Sequence, residues 1–406
     1  MKRSIYPFSA IVGQEKLKTA LLLNAVDPSI GGVLISGHKG TGKTTAVRAL
    51  AHILPPIEAV QACSYHCPAD NPGIMCDECL QKLDSGRPLP TAERSMPLVE
   101  LPLSATEDRV AGTLHVEHAL TTGRRKFEPG LMAAANRGIL YVDEVNLLDD
   151  HLVDILLDAA ATGINIVERE GISYTHPAGF ILVGTMNPEE GDLRPQFLDR
   201  FGLSLTVSSL TDNEMREAVA RRRIAFDRNP EGFADLWVES QALLARQVTH
   251  ARANLGQVKV PAEMVRFAVD LSTRAKAQGH RSDIVMIKTA TALAAMLESS
   301  VVQRSHMAEA ARLVLPHRMT TVALATPESL QKILEQLLAD AVKEASASQC
   351  DPDTETTEAP EPMEFEDWDD ISTEVPGSWA ASNTDMIFSF LEQKKKLFSK
   401  PMSSSV

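Results

Sequence analysis

Apolar residues recur at helical spacing from Ile11 to Val26, and the pattern stops at Asp27-Pro28, where proline cannot extend a helix. The next apolar run, Gly32-Val33-Leu34-Ile35-Ser36, is continuous and enters a glycine-rich turn. Helical spacing resumes from Thr44 to Ile53. Two more continuous runs, Gly138 to Val142 and Phe180 to Gly184, read as buried strands, and another core strand is expected near Leu98 to Leu101. Continuous apolar strands separated by helical segments predict an α/β fold with a mostly parallel sheet covered on both faces. From Asp212 to about Val342 the pattern is helix after helix, and no internal repeat is visible. The expected organisation is an α/β core over 1–210, a smaller all-helical domain over 211–342 and a tail over 343–406.

Charge sharpens that last boundary. Residues 341–406 hold 14 acidic and 5 basic side chains, so this stretch carries −9 of the formal −14. Between Asp351 and Glu374 there are 11 acids and no Lys or Arg. Dense like charge with little apolar surface cannot offset chain entropy, so a disordered acidic linker is expected there. Beyond it, Met386 to Leu391 followed by Lys394 to Lys396 reads either as a fraying end or as a short docking helix. The acidic balance argues against a general nucleic-acid binder, and Arg221-Arg222-Arg223 reads as the solvated face of a helix. No apolar run approaches the length of a membrane span, and no secretory signal is evident, so a cytoplasmic protein is expected.

Five motifs carry candidate chemistry. Gly37-His38-Lys39-Gly40-Thr41-Gly42-Lys43-Thr44, continuing to Thr45, matches G-x-x-x-x-G-K-[ST] between an expected strand and an expected helix. Such a loop turns backbone N–H groups inward around phosphate oxygens, with a helix N-terminus behind them. Lys43 would meet the β- and γ-phosphates and Thr44 the Mg2+ of ATP. Ile139 to Glu144 is an apolar strand ending in two carboxylates. At a strand tip beside the loop, Asp143 can hold the metal's hydration shell and Glu144 can polarise an attacking water. Thr185-Met186-Asn187-Pro188 ends the following strand, where Asn187 can orient that water or cap a turn. Arg200, in Asp199-Arg200-Phe201-Gly202, is either a surface residue or a finger reaching a neighbouring subunit's nucleotide. Arg281 either caps a helix pair or reaches back to the γ-phosphate.

The order of these motifs resembles the AAA+ ATPases. Several strings resemble one branch, the ATPase subunits of magnesium chelatases: Ile11 to Glu15, Leu101 to Gly112, Phe127 to Leu131, Val142 to Leu148, Asn187 to Gln196 and Leu198 to Gly202. The resemblance covers roughly residues 5–320. It implies an AAA+ P-loop core with a helical lid, a homo-hexameric ring and ATP hydrolysis. The implied partners are a second AAA+ subunit bearing a von Willebrand-type domain and a large porphyrin-binding subunit, with Mg2+ inserted into protoporphyrin. By motif it assigns Asn187 as sensor 1, Arg200 as the arginine finger and Arg281 as the sensor 2 arginine. It places the segment around Val12 to Gln14 at the adenine pocket, and makes Gly123 to Leu131 and Ile164 to Tyr174 insertions on the core. Cobalt chelatases use similar subunits, and a MoxR-like chaperone acting on a von Willebrand-domain partner is the reading from a different class.

The sequence departs from the best-known chelatase subunits at Cys63-x3-Cys67-x8-Cys76-x2-Cys79, within an insertion of about residues 60–95. Four thiols so spaced can hold a tetrahedral Zn2+, form a redox disulfide or remain reduced. Cys350 stands alone beside the acidic linker. The acidic tail itself looks like the linker of fused chelatase subunits, with no von Willebrand-type domain after it.

Overall fold

A computed structural model describes residues 4–114, 127–169, 172–191, 193–277, 279–319 and 327–347. Residues up to Leu334 form one compact unit and residues from Glu335 a second. The acidic linker, Cys350 and the segment Met386 to Leu391 lie outside the described residues, as does the part of the first expected insertion before Phe127.

The described strands of the first unit are, in chain order, β1 (Val33–Gly37), β2 (Ile57–Val60), β3 (Thr91–Arg94), β4 (Leu98–Leu101), β5 (Gly112–Leu114), β6 (Phe127–Pro129), β7 (Ile139–Val142), β8 (Ile164–Arg169), β9 (Ile172–Pro177), β10 (Ile181–Met186) and β11 (Leu203–Val207). Five of them build one sheet in the order β11-β1-β10-β7-β4, with every pairing parallel. The continuous apolar runs take the inner places: every residue of β7 and β10 is buried. Burial thins at the rim, where β11 alternates buried and more exposed positions and β4 buries only Leu101. That gradient is what a sheet covered on both faces at its centre requires. Exposed Glu100 on β4 is held by Arg48 at 2.6 and 2.9 Å. The other strands pair as antiparallel hairpins, β2–β3, β5–β6 and β8–β9.

The first helix is Glu15–Val26, later than the Ile11 start that apolar spacing suggests. Gly13 and Gln14 have φ of +63° and +57°, a left-handed backbone that breaks helical propagation. After Asp212, whose carboxylate caps the next helix by accepting from Met215 N at 2.9 Å, come the helices Asn213–Arg228, Pro230–Asp235, Val238–Asn254, Ala262–Arg274, Arg281–Met296, Arg304–Val314 and Pro327–Ala347. The arginine run on the first of these is only partly a solvated face. Arg221 and Arg223 are exposed and pair with Glu217 and Asp227. Arg222 turns inward, donating to Ala10 O at 2.9 Å and lying 4.8 Å over the Trp237 ring.

Within the first unit, helix Arg304–Val314 packs against β11. Arg281–Met296 lies against Arg304–Val314 and against Glu15–Val26. The strongest tie is buried Arg318. Its guanidinium donates to the backbone carbonyls of Asp199, Phe201, Gly202 and Val314 and to the Asp199 carboxylate at 3.2 Å. Burial pushes its pKa down to about 10, so it remains a cation at neutral pH.

Candidate nucleotide site

The carboxyl ends of β1, β7 and β10 open on one edge of the sheet, where parallel α/β folds bind ligands. The turn after β1 needs left-handed backbone at Gly40 and Gly42, with φ of +86° and +83°, and helix Lys43–Ile53 starts immediately after it. Thr44 and Thr45 therefore occupy the first turn of that helix. Lys43 folds back into the loop, and its ammonium is held by the carbonyls of Gly37 and of His38, the latter at 3.1 Å. Burial pushes its pKa below the usual lysine value, while Asp143, Glu144 and Glu190 pull the other way. Thr41 Oγ1 closes the turn on His38 O at 3.0 Å.

Asp143 is the hub at the tip of β7. Its Oδ1 accepts from Tyr141 Oη at 3.0 Å and from Thr185 Oγ1 at 2.5 Å. Tyr141 Oη also lies 2.9 Å from Thr44 Oγ1, so one chain of hydroxyls joins the helix start to the carboxylate. Burial pushes the Tyr141 phenol up to about 12, so it keeps its proton and donates. Glu144 leaves the strand with φ +53°, which turns its backbone off the β7 line. Its N–H reaches Thr185 Oγ1 at 3.4 Å, and its carboxylate lies 3.5 Å from Lys39 Nζ. Lys39 bonds Glu190 at 2.5 Å, and that bond raises the lysine's pKa. Asn187, buried at the end of β10, accepts from Glu189 N at 3.4 Å, so it caps the following turn, and its side chain also bonds Glu190. Gln14 Nε2 donates to Thr41 O at 2.6 Å, which brings the segment around half-buried Val12 to the phosphate loop. Gly13 beside it lies against Leu210 and Met215.

Two arginines stand apart from this cluster. Arg200 ends helix Pro195–Arg200, and its Nη1 lies 2.9 Å from Asp154 and 2.9 Å from Asp158 on helix Asp150–Thr162. Arg281 starts its helix 3.8 Å from the Asp199 carboxylate, not at the phosphate loop. Asp199 thus sits between Arg281 and Arg318 and next to Arg200 in sequence. The four clustered cysteines lie elsewhere, between β2 and β3, as free thiols.

Tyr141, Thr185, Lys39 and Glu190 enter this site with contacts that motif reading alone does not give. Tyr141 sits inside an apolar run and reads as core; its one signal is a phenol two residues before Asp143 on the same strand face.

The family description "Magnesium chelatase, subunit ChlI" matches residues 109–196, and "AAA lid domain" matches residues 266–337. The chain is similar to the magnesium-chelatase subunit ChlI homolog of Methanocaldococcus jannaschii, at 50% identity over 334 residues, 82% of this chain and 91% of that one. It is similar to magnesium-chelatase subunit ChlI of Nephroselmis olivacea, at 49% identity over 333 residues, 82% of this chain and 94% of that one. The crystal structure of a candidate ATPase from Cytophaga hutchinsonii superposes with a TM-score of 0.54 at 17% identity, covering 82% of this chain and 90% of that one, a likeness of fold alone. Among the described residues no helix is long and apolar enough to cross a membrane. With half of the 334 aligned residues identical, over most of both chains, this chain belongs to the magnesium chelatase ChlI family, a branch of the AAA+ ATPases.

Proposed function

We propose that the chain is the ATP-hydrolysing motor of a magnesium chelatase-like complex, driving insertion of Mg2+ into protoporphyrin held on another subunit. The observation that carries the reading is the hydroxyl chain from Thr44 through Tyr141 to Asp143, with Glu144 and Asn187 beside it. The residues fit a magnesium nucleotide. Thr44 and Asp143 would hold the metal, which supplies charge neutralisation at the phosphates. Lys43 would exchange its own loop carbonyls for phosphate oxygens. Gln14 Oε1 is buried and, among the described residues, has no donor, while adenine's exocyclic amine offers one. Glu144 would take the proton of the attacking water, and Asn187 would orient it.

Arg200, paired with Asp154 and Asp158, would then serve a neighbour's nucleotide in a hexameric ring, and Arg281, beside Asp199, would be the sensor 2 arginine. The division into a core over 1–210 and a lid over 211–342 belongs to the same reading. So do the partners, a second AAA+ subunit with a von Willebrand-type domain and a large porphyrin-binding subunit. The test is reconstitution of the full chain with those two subunits, following protoporphyrin absorbance with Mg2+ or Co2+ and ATP. Mg2+ insertion that requires this chain and ATP is expected. Insertion of Co2+ alone, or insertion that proceeds without this chain, overturns it.

A further inference from the structure

The four sulfurs of Cys63, Cys67, Cys76 and Cys79 all lie within 4.8 Å of one another, and those of Cys63 and Cys76 are 3.9 Å apart. A tetrahedral zinc with bonds near 2.3 Å sets its thiolates about 3.8 Å apart. A multi-iron cluster, with inorganic sulfide between the irons, holds its four cysteines farther apart than that.

The backbone is shaped for the same purpose. Ala62 and His66 have φ of +60° and +49°, left-handed positions that non-glycine residues rarely take. Each stands immediately before a cysteine of the first pair. On the second pair, Cys76 caps helix Asp77–Asp84 and Cys79 sits in its first turn. The Cys76 N–H donates to Cys67 Sγ at 3.1 Å, the backbone bond that stabilises a metal-bound thiolate. Cys67, Cys76 and Cys79 are buried among Val60, Tyr65, Met75 and Ala133, and Cys63 is half-buried.

The segment has little regular structure of its own to hold it. An eight-residue helix and a two-stranded hairpin are each marginal alone. The loop is anchored on two sides. Asn136 donates to Tyr65 O, at 2.5 Å, and Arg137 donates to Glu58 O at 2.6 Å and His66 O at 3.1 Å. Tyr65 also packs on His176 of β9, with ring centroids 5.0 Å apart, and its Oη lies 3.4 Å from Tyr174 Oη. Residues 136 and 137 lead directly into β7, the strand that ends at Asp143 and Glu144.

We propose that Cys63, Cys67, Cys76 and Cys79 bind one Zn2+ in a closed structural site that braces the entry to β7. Four protein thiolates leave no position for substrate, so the ion orders the loop and does no chemistry. Binding displaces the thiol protons to solvent.

The full-length chain, purified without added metal, is expected to carry about one equivalent of zinc by elemental analysis. Its clustered thiols should resist a thiol reagent until the zinc is released to a chromophoric chelator. Cobalt exchanged for zinc should give the intense sulfur-to-metal charge transfer of four thiolates in a tetrahedral field. Cys76→Ser should lose the zinc and be cut faster by protease within residues 61–90, while Cys350→Ser keeps it. Wild-type protein with little zinc and freely reactive thiols, with a disulfide among these four, with iron in place of zinc, or with a cobalt spectrum of fewer thiolates overturns the site. These measurements on wild type decide the matter even if Cys76→Ser fails to fold.

Discussion

At the scale of single residues, the site separates binding from chemistry. On the proposed reading Lys43 meets phosphate in the ground state, so Lys43→Ala should weaken ATP binding by roughly ten- to a hundredfold, the worth of a charge-assisted hydrogen bond. Glu144→Gln should bind ATP normally and hydrolyse it about a hundredfold slower or worse, the loss of a general base. Isothermal titration beside a phosphate-release assay distinguishes them, and wild-type turnover in Glu144→Gln removes the base assignment. Tyr141 adds a finer test. Its phenol, pushed up to about 12 by burial, is a fixed donor to Asp143 and lies 2.9 Å from the Thr44 hydroxyl. Tyr141→Phe keeps the packing and removes only that link, at about 1 kcal/mol or roughly fivefold in hydrolysis rate. An unchanged rate over a range of Mg2+ concentrations would mean that the hydroxyl chain is incidental.

At the scale of elements, much of the fold was legible because the central strands are wholly buried. β1, β7 and β10 are continuous apolar runs, and β4 lies where a further core strand is expected. The edge strand β11 leaves little mark in the sequence, because one face of it is wetter and its Leu-Ser-Leu-Thr-Val alternation is short. The start of helix Glu15–Val26 was misplaced because left-handed Gln14 leaves no mark in hydrophobic spacing. In the site, loop and carboxylates were legible as contiguous motifs. The position of Arg281 was not, since it depends on how helices far along the chain fold back onto the segment 199–202. That packing carries its own prediction. Arg318→Met strands four backbone carbonyls that it now satisfies. A loss of about 3 kcal/mol is expected. For a unit of this length, that lowers Tm by roughly 4 °C. Calorimetry showing no decrease would mean the tie is redundant.

At the scale of the whole molecule, three buried imidazoles set an acid limit. Burial lowers the pKa of His176, His306 and His317 below the usual value of 6.5. Each is neutral in the folded chain, while the unfolded chain takes up protons below about pH 6.5. Their contribution to stability is intact above that pH and is lost as pH falls below it. Denaturant midpoints should therefore drop between pH 7 and pH 5, and less steeply in His317→Gln. The proposed ring gives the last test: if Arg200 acts across an interface, mixing Arg200→Ala with Glu144→Gln should restore ATPase activity where one intact half comes from each. No recovery in mixed rings rules out a finger supplied across the interface. The carboxylates that grip Arg200 have a mechanical consequence. Asp154 and Asp158 stand one turn apart on a helix of 13 residues, about 20 Å long, that ends at Gly163 where β8 begins. Such a rod transmits displacement with little loss. A pull on the β8–β9 hairpin that slides the helix by one residue's rise, about 1.5 Å, exceeds what two hydrogen bonds at 2.9 Å tolerate. The hairpin and the arginine are thus coupled through the helix: displacing the one strains the contacts of the other.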